Sequence, residues 1–238
     1  MERHEEAHRL LVEMELRRQE NPLKYSKRHR GQEIWMQDKH RVVAVVGGNW
    51  SAKTYTAGMM LAGAMTGQYP FAGVFPEPPF PIIFLGKPDV FREKIQPIAE
   101  SYLPPGFITG STNVTAWKCS SLWQTRLGGQ VRFHSFDQEE VEGPEYGLLL
   151  CDEPPPDRLI NSLKSRLRNE KMFRMHKFGA MQRFFFTPLL AGASLHDQFG
   201  PNYDKRDTMI YTTPIWINCT CLAGLSKEKL KRFGFNEG

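Results

Sequence analysis

The apolar positions fall into short unbroken runs separated by polar, helix-like stretches. Residues 42–46 (Val42-Val43-Ala44-Val45-Val46) form a β-branched run with no alternation. Such a run predicts a strand buried on both faces, as in a parallel sheet. Gly47-Gly48 stops it, and residues 53–65, rich in Ala and Met, read as a helix. Residues 70–81 carry five prolines and read as a loop. A second buried strand is expected at 82–85, followed by a helix at 90–102 that Pro104-Pro105-Gly106 closes. Residues 131–136 alternate as a strand, and 147–151 form a third short apolar run. Further elements are expected as a helix at 157–169, strands at 183–186 and 209–217, and a short helix at 226–233. Strands alternating with helices predict an α/β sandwich around a mainly parallel sheet. Residues 1–20 read as an amphipathic helix with Ala7, Leu10, Leu11 and Met14 on one face, ended by Asn21-Pro22.

Composition changes this picture little. A chain of 238 residues with 40% apolar and 24% charged residues can bury a sizeable core. No run of 18 apolar residues occurs, and the charged first 20 residues do not read as a secretory signal. Cys119, Cys151, Cys219 and Cys221 form no Cys-x-x-Cys pair and lack histidines at zinc spacing, which favours scattered reduced thiols. The net charge of +5 suits a polyanionic partner without requiring one. Residues 24–30 are a basic stretch.

Two segments carry chemistry. Gly47-Gly48-Asn49-Trp50-Ser51-Ala52-Lys53-Thr54 follows a buried strand and opens a helix, the context of a phosphate-binding loop. Backbone N–H groups and the helix N-terminus would cradle phosphates, with Lys53 neutralising their oxygens and Thr54 offering a hydroxyl to Mg²⁺. Ala52 stands where the strict pattern has glycine. A positive φ there would strain the alanine by about 1 kcal/mol, whereas a negative φ would tolerate its methyl. Leu148-Leu149-Leu150-Cys151-Asp152-Glu153 ends an apolar strand in two carboxylates. Asp152 is the expected metal carboxylate and Glu153 the residue expected to polarise an attacking water. Both segments lie at C-terminal ends of expected parallel strands, where open α/β sheets bind ligands.

These segments and their surroundings resemble the ATPase domain of the large terminase subunit of tailed bacteriophages. The resemblance rests on residues 47–54, on Ser135-Phe136-Asp137-Gln138 with Gly143, on Asp152-Glu153-Pro154-Pro155, and on Thr187-Pro188-Leu189 with Gly192 and Ser194. It implies an ASCE-type P-loop NTPase: a three-layer sandwich with a mainly parallel sheet and a small C-terminal lid subdomain. The implied division is an extension over 1–31, a core over 32–200 and a lid over 201–238. Only five residues follow Phe233, so the nuclease domain of full terminases is expected to be absent and no DNA cleavage is expected. The implied activity is ATP hydrolysis with Mg²⁺, driving double-stranded DNA into a procapsid. Implied partners are DNA, a portal protein, a small terminase subunit and further copies in a ring, a pentamer when assembled. The implied place is the host cytoplasm, docked on the procapsid during packaging.

By the same resemblance, Gln32 would recognise adenine, and Thr187 would sense the γ-phosphate and couple its loss to DNA. Trp50 replaces the family's loop arginine, and Glu139-Glu140-Val141-Glu142 stands where a Gly-Arg-Glu-type stretch is usual. Arg126, Arg132, Arg166 and Arg168 are the candidates for the missing finger, and slow hydrolysis by the isolated chain is expected. A degenerate nucleotide-dependent switch and a helicase-like ATPase remain alternatives.

Overall fold

A computed structural model of the chain describes residues 2–48, 51–141, 143–167, 179–187 and 207–213. Three helices come first: α1 (Glu2–Glu20), α2 (Pro22–Tyr25) and α3 (Arg30–Gln37). Strand β1 (Val42–Gly47) leads into α4 (Lys53–Thr66). Strand β2 (Ile82–Gly86) is followed by α5 (Pro88–Val90), a π turn (Phe91–Ile95) and α6 (Gln96–Ser101). Then come β3 (Ile108–Val114), β4 (Cys119–Thr125), β5 (Gln130–Ser135), β6 (Leu148–Asp152), α7 (Asp157–Lys164), β7 (Met181–Phe186) and β8 (Thr208–Thr213).

The strands form one eight-stranded sheet in the order β3-β4-β5-β2-β6-β7-β1-β8. Strands β5, β2, β6, β7, β1 and β8 run parallel, whereas β3–β4 and β4–β5 pair antiparallel. The unbroken apolar runs are explained by what covers each face. Val43, Val45, Ile82, Phe84, Leu148, Leu150 and Phe185 pack with α3, α4 and α6. Their neighbours Ala44, Ile83, Leu85, Leu149, Cys151, Phe184 and Phe186 pack with Leu159 and Leu163 of α7. Successive residues point to opposite faces, and both faces are covered, so neither has room for a polar alternation. The architecture is the expected three-layer sandwich, and β7 lies between β1 and β6.

Helix α4 is buried almost all round because it is wedged between the sheet and other helices. At Gly58 it meets α6 so closely that a Cβ would lie 2.6 Å from Ile98 Cγ2. The helix expected at 90–102 begins earlier, at Pro88, and contains the π turn. Pro97 has no N–H to donate to the carbonyl four residues back, and Gln96 N bonds Phe91 O instead of the usual acceptor. Helix α7 ends at Lys164 rather than at 169, residue 169 itself lying outside the described residues. Helices α2 and α3 and strands β3 and β4 have no counterpart among the elements expected from the sequence. Strand β8, inside the segment expected as a lid, pairs in parallel with β1 along its length, so that segment contributes to the sheet. The expected helix at 226–233 and the remainder of the lid segment lie outside the described residues.

The foot of β1 is fixed by a buried cation. Arg183 on β7 is 0% exposed, and its guanidinium donates to the carbonyls of Asp38, His40, Arg41 and Gln182 at 2.9–3.2 Å. Burial lowers its pKa to about 10, while the charge of Asp38 opposes that shift. Asp38 in turn accepts from His40 N at 2.7 Å and from the Tyr211 hydroxyl on β8. Strands β7, β1 and β8 are thus tied together below the site. Replacing Arg183 by Met removes the side-chain donor from four backbone carbonyls, of which Arg41 O keeps Gln182 N, and leaves Asp38 without the nearby cation; the expected loss is about 3–5 kcal/mol. A urea unfolding free energy within about 1 kcal/mol of wild type would show that the network is dispensable.

His134 on β5 is 3% exposed, and its Nε2 has no hydrogen-bond partner among the described residues. Burial, with Arg132 nearby, lowers its pKa to about 4. The unfolded chain therefore binds a proton between about pH 6.5 and 4 that the folded chain refuses, so stability is lost as pH falls through that window. The difference in unfolding free energy between wild type and His134→Leu should change with pH there and be flat above pH ~7. A flat difference throughout would contradict the assignment.

Candidate active site

The loop between β1 and α4 closes around its own lysine. Lys53 Nζ donates to Gly47 O at 2.7 Å, Gly48 O at 2.9 Å and Ser51 Oγ at 2.9 Å, and the residue is 7% exposed. Burial lowers the Lys53 pKa, against the opposing fields of Glu153 and Asp152. Ala52 sits at φ 55° and ψ 20°, the left-handed conformation. Of the two readings of that position, the strained one holds: an alanine occupies a site suited to glycine. Asn49 and Trp50 lie outside the described residues.

Thr54, at the second position of α4, donates from Oγ1 to Asp152 Oδ1 at 2.9 Å. The topology makes this contact possible. Strands β1 and β6 are parallel with β7 alone between them, so their C-terminal ends face the same edge of the sheet. Asp152 is 6% exposed, and its pKa is raised to about 6. Desolvation is the main cause and Glu153 adds to it, whereas the Thr54 bond, Lys53 and Lys94 pull the other way. A carboxylate and a hydroxyl placed side by side are oxygen donors of the kind that could hold a divalent cation.

Glu153 follows at φ 73°, a left-handed residue that is not glycine. Such strain persists only where the surroundings impose it, and it concentrates at functional sites. Here Glu153 N donates to Phe185 O at 2.8 Å. Its carboxylate accepts from Thr187 N at Oε2 and Thr187 Oγ1 at Oε1, both at 3.1 Å. Thr187, just past the end of β7, is thereby joined to Glu153.

Gln32, on α3, reaches the first turns of α4. Its Oε1 accepts from His29 N at 3.1 Å, completing a capping box on α3. Its Nε2 donates to Thr56 Oγ1 at 3.1 Å, and Thr56 Oγ1 donates to Ala52 O at 2.8 Å. Of the arginines considered as fingers, Arg126 lies over the Phe107 ring at the antiparallel side of the sheet. Arg132 hydrogen-bonds Tyr146, and Arg166 Nη1 donates to Gly143 O at 2.9 Å. Arg168 lies outside the described residues.

Two residues near this edge escape a sequence reading. Lys94, exposed on the π turn after β2, is a cation whose field reaches Asp152. Tyr55, 41% exposed beside Thr54, pairs with Tyr102. Neither has a local sequence signal, because both depend on how α5, the π turn and α6 pack on α4. The chain brings together Gly47, Gly48, Ser51, Ala52, Lys53, Thr54, Asp152, Glu153 and Thr187. That is a loop, a hydroxyl and two carboxylates at one sheet edge.

Comparison with solved structures gives the fold a precedent. The large terminase of the thermophilic bacteriophage D6E superposes with a TM-score of 0.54 at 14% identity, over 89% of this chain and 51% of that one. The chain therefore spans about half the length of that terminase. The Thermus phage P74-26 large terminase ATPase domain, in a mutant form, gives a TM-score of 0.53 at 13% identity, over 90% of this chain and 91% of that one. The same domain without the mutation gives 0.50 at 13% identity, with the same coverage of 90% and 91%. No protein-family model and no curated protein matches the chain. The chain has the fold of phage large terminase ATPase domains.

Ala52→Gly removes the left-handed penalty, and the expected gain is about 1 kcal/mol, or roughly 2–4 °C in Tm for a domain of this size. An unchanged or lowered Tm in differential scanning calorimetry would mean that the loop does not hold residue 52 at positive φ.

Proposed function

We propose that the chain is an ATP-hydrolysing motor domain of the terminase type, coupling Mg²⁺-dependent ATP hydrolysis to movement of double-stranded DNA. The observation that carries this reading is the Thr54–Asp152 contact beside Lys53, with Glu153 adjacent. In this reading Lys53 and the loop amides of residues 47–54 take the β- and γ-phosphates. The donor set suits Mg²⁺, which is commonly bound by one or two protein oxygens together with phosphate and water. Thr54 Oγ1 and the Asp152 carboxylate would hold it, and the ion would neutralise charge developing on the phosphates. Glu153 is the group that orients and accepts a proton from the attacking water. Its carboxylate is held by both donors of Thr187, so freeing it for water and moving Thr187 are one event. That linkage supports Thr187 as the coupling residue.

The polyanionic partner is double-stranded DNA, consistent with the net charge of +5. A portal protein, a small terminase subunit and further copies in a pentameric ring complete the proposed assembly, docked on a procapsid in the host cytoplasm. Another copy would supply the cation that the loop lacks at Trp50. The proposed division keeps the extension over 1–31, the core over 32–200 and a lid over 201–238, with β8 as the lid's link to the sheet. No nuclease action is assigned to this chain.

A nucleotide-dependent switch is the second reading. It is favoured by the strain at Ala52 and by Lys53 spending its three protons on its own loop. Phosphate release measured with and without DNA separates the two. The motor reading expects slow turnover by the isolated chain, raised by DNA or partners. Glu153→Gln should lower it by at least about 10²-fold, the range of a general base, while Mg-ATP still binds. Lys53→Ala should lose binding. Equal background rates for wild type and Glu153→Gln under every condition would favour the switch.

A further inference from the structure

The amide of Gln32, which the family resemblance makes the reader of the base, is already engaged inside the fold. Its oxygen caps α3 at His29 N and its nitrogen donates to Thr56 on α4, with the residue 4% exposed. Reading an adenine edge takes one donor and one acceptor from the same amide. Here the oxygen holds the α3 cap with one lone pair, while the nitrogen donates to Thr56 and meets Met59 Sδ at 4.0 Å, so both nitrogen contacts are directed into α4. Turning the amide outward would release both, and with them the link through Thr56 to the Ala52 carbonyl.

An aromatic surface stands close by. Tyr55 follows Thr54 directly, with Cα atoms about 3.8 Å apart across one peptide, and the residue is 41% exposed. It lines a cleft of about 1060 Å³ together with Tyr25, Lys27 and Tyr102, and Leu11 and Met14 of α1 also border it. That volume is at the upper end of small-molecule sites, which run to about 1,000 Å³. Tyr102 meets Tyr55 edge to face, with ring centroids 6.1 Å apart and planes at 81°, and their hydroxyls are hydrogen-bonded. The pair is therefore fixed in orientation, while the exposure of Tyr55 leaves ring surface open to the cleft. Leu11 and Met14 of α1 are each 65% exposed and offer the cleft an apolar border.

We propose that the base of the bound nucleotide stacks on Tyr55 in this cleft, and that Gln32 positions α3 and α4 without reading the base. The inference rests on the nucleotide reading above and deepens it. Its consequence is tolerance: every base has a π face, whereas an amide pair selects one base edge. ATP and GTP should therefore serve almost equally.

Equilibrium binding to the full chain with Mg²⁺ tests this, using ATP, GTP and inorganic tripolyphosphate as the probes. Wild type should bind ATP and GTP within about threefold of each other, since stacking is tolerant of base identity, and both more tightly than tripolyphosphate. Tyr55→Ala should weaken ATP and GTP on the order of ten- to hundred-fold, the effect of one stacked base, and leave tripolyphosphate unchanged. Tyr55→Phe keeps the ring and should keep the nucleoside affinity. A strong preference for ATP that survives Tyr55→Ala and disappears in Gln32→Leu overturns the inference. So does an ATP affinity no greater than that of tripolyphosphate. Undiminished ATP binding by Lys53→Ala, or no binding of any probe by wild type, overturns the nucleotide site itself.

Discussion

Everything at this sheet edge depends on a buried carboxylate that burial alone would keep from charging. Asp152 is 6% exposed and holds its proton to about pH 6, because the surrounding apolar strands give little solvation. One hydroxyl, from Thr54, reaches it at 2.9 Å, and Lys53 and Lys94 contribute positive field. Those groups come from three different stretches of chain: the start of α4, the end of β6 and the turn after β2. Only a parallel sheet with β7 between β1 and β6 delivers them to one edge. In the proposed reading a cation with its phosphates would complement that arrangement, adding positive charge beside the buried carboxylate.

The opposite end of the same strands is built for rigidity. Arg183 spends its guanidinium on backbone carbonyls under β1, and Asp38 ties in His40 and Tyr211. The two ends have different tasks. Below, charge is neutralised within the fold; above, charge is left partly unmet beside strained residues, Ala52 at φ 55° and Glu153 at φ 73°. In the proposed reading such a site needs a scaffold that does not move with it, and β7 links both ends directly. Arg183 lies within it, and Thr187, clamped to Glu153, follows its last residue.

What can be read in the sequence follows from how local its cause is. The doubly buried strands β1, β2 and β6 are legible because covering both faces of a parallel sheet forces unbroken apolar runs. The antiparallel β3 is not, since Thr109, Gly110, Ser111, Thr112 and Asn113 lie on a strand largely open to solvent and carry no apolar alternation. Helix α3 goes unseen because it is only eight residues long and its cap is His29, a residue seldom found in that role. In the site, Lys53, Thr54 and Asp152 are legible because their chemistry sits in contiguous motifs beside strand ends. The backbone angle of Ala52, the internal use of the Gln32 amide and the approach of Lys94 are products of packing, and no short window of sequence encodes them.

The most direct test is a crystal structure with Mg²⁺ and a non-hydrolysable ATP analogue. The account predicts one metal in contact with Thr54 Oγ1 and held from Asp152, with Lys53 released from the Gly47 and Gly48 carbonyls onto the terminal phosphates. An analogue bound at another edge of the sheet, with Lys53 still bonded to its own loop, would contradict it.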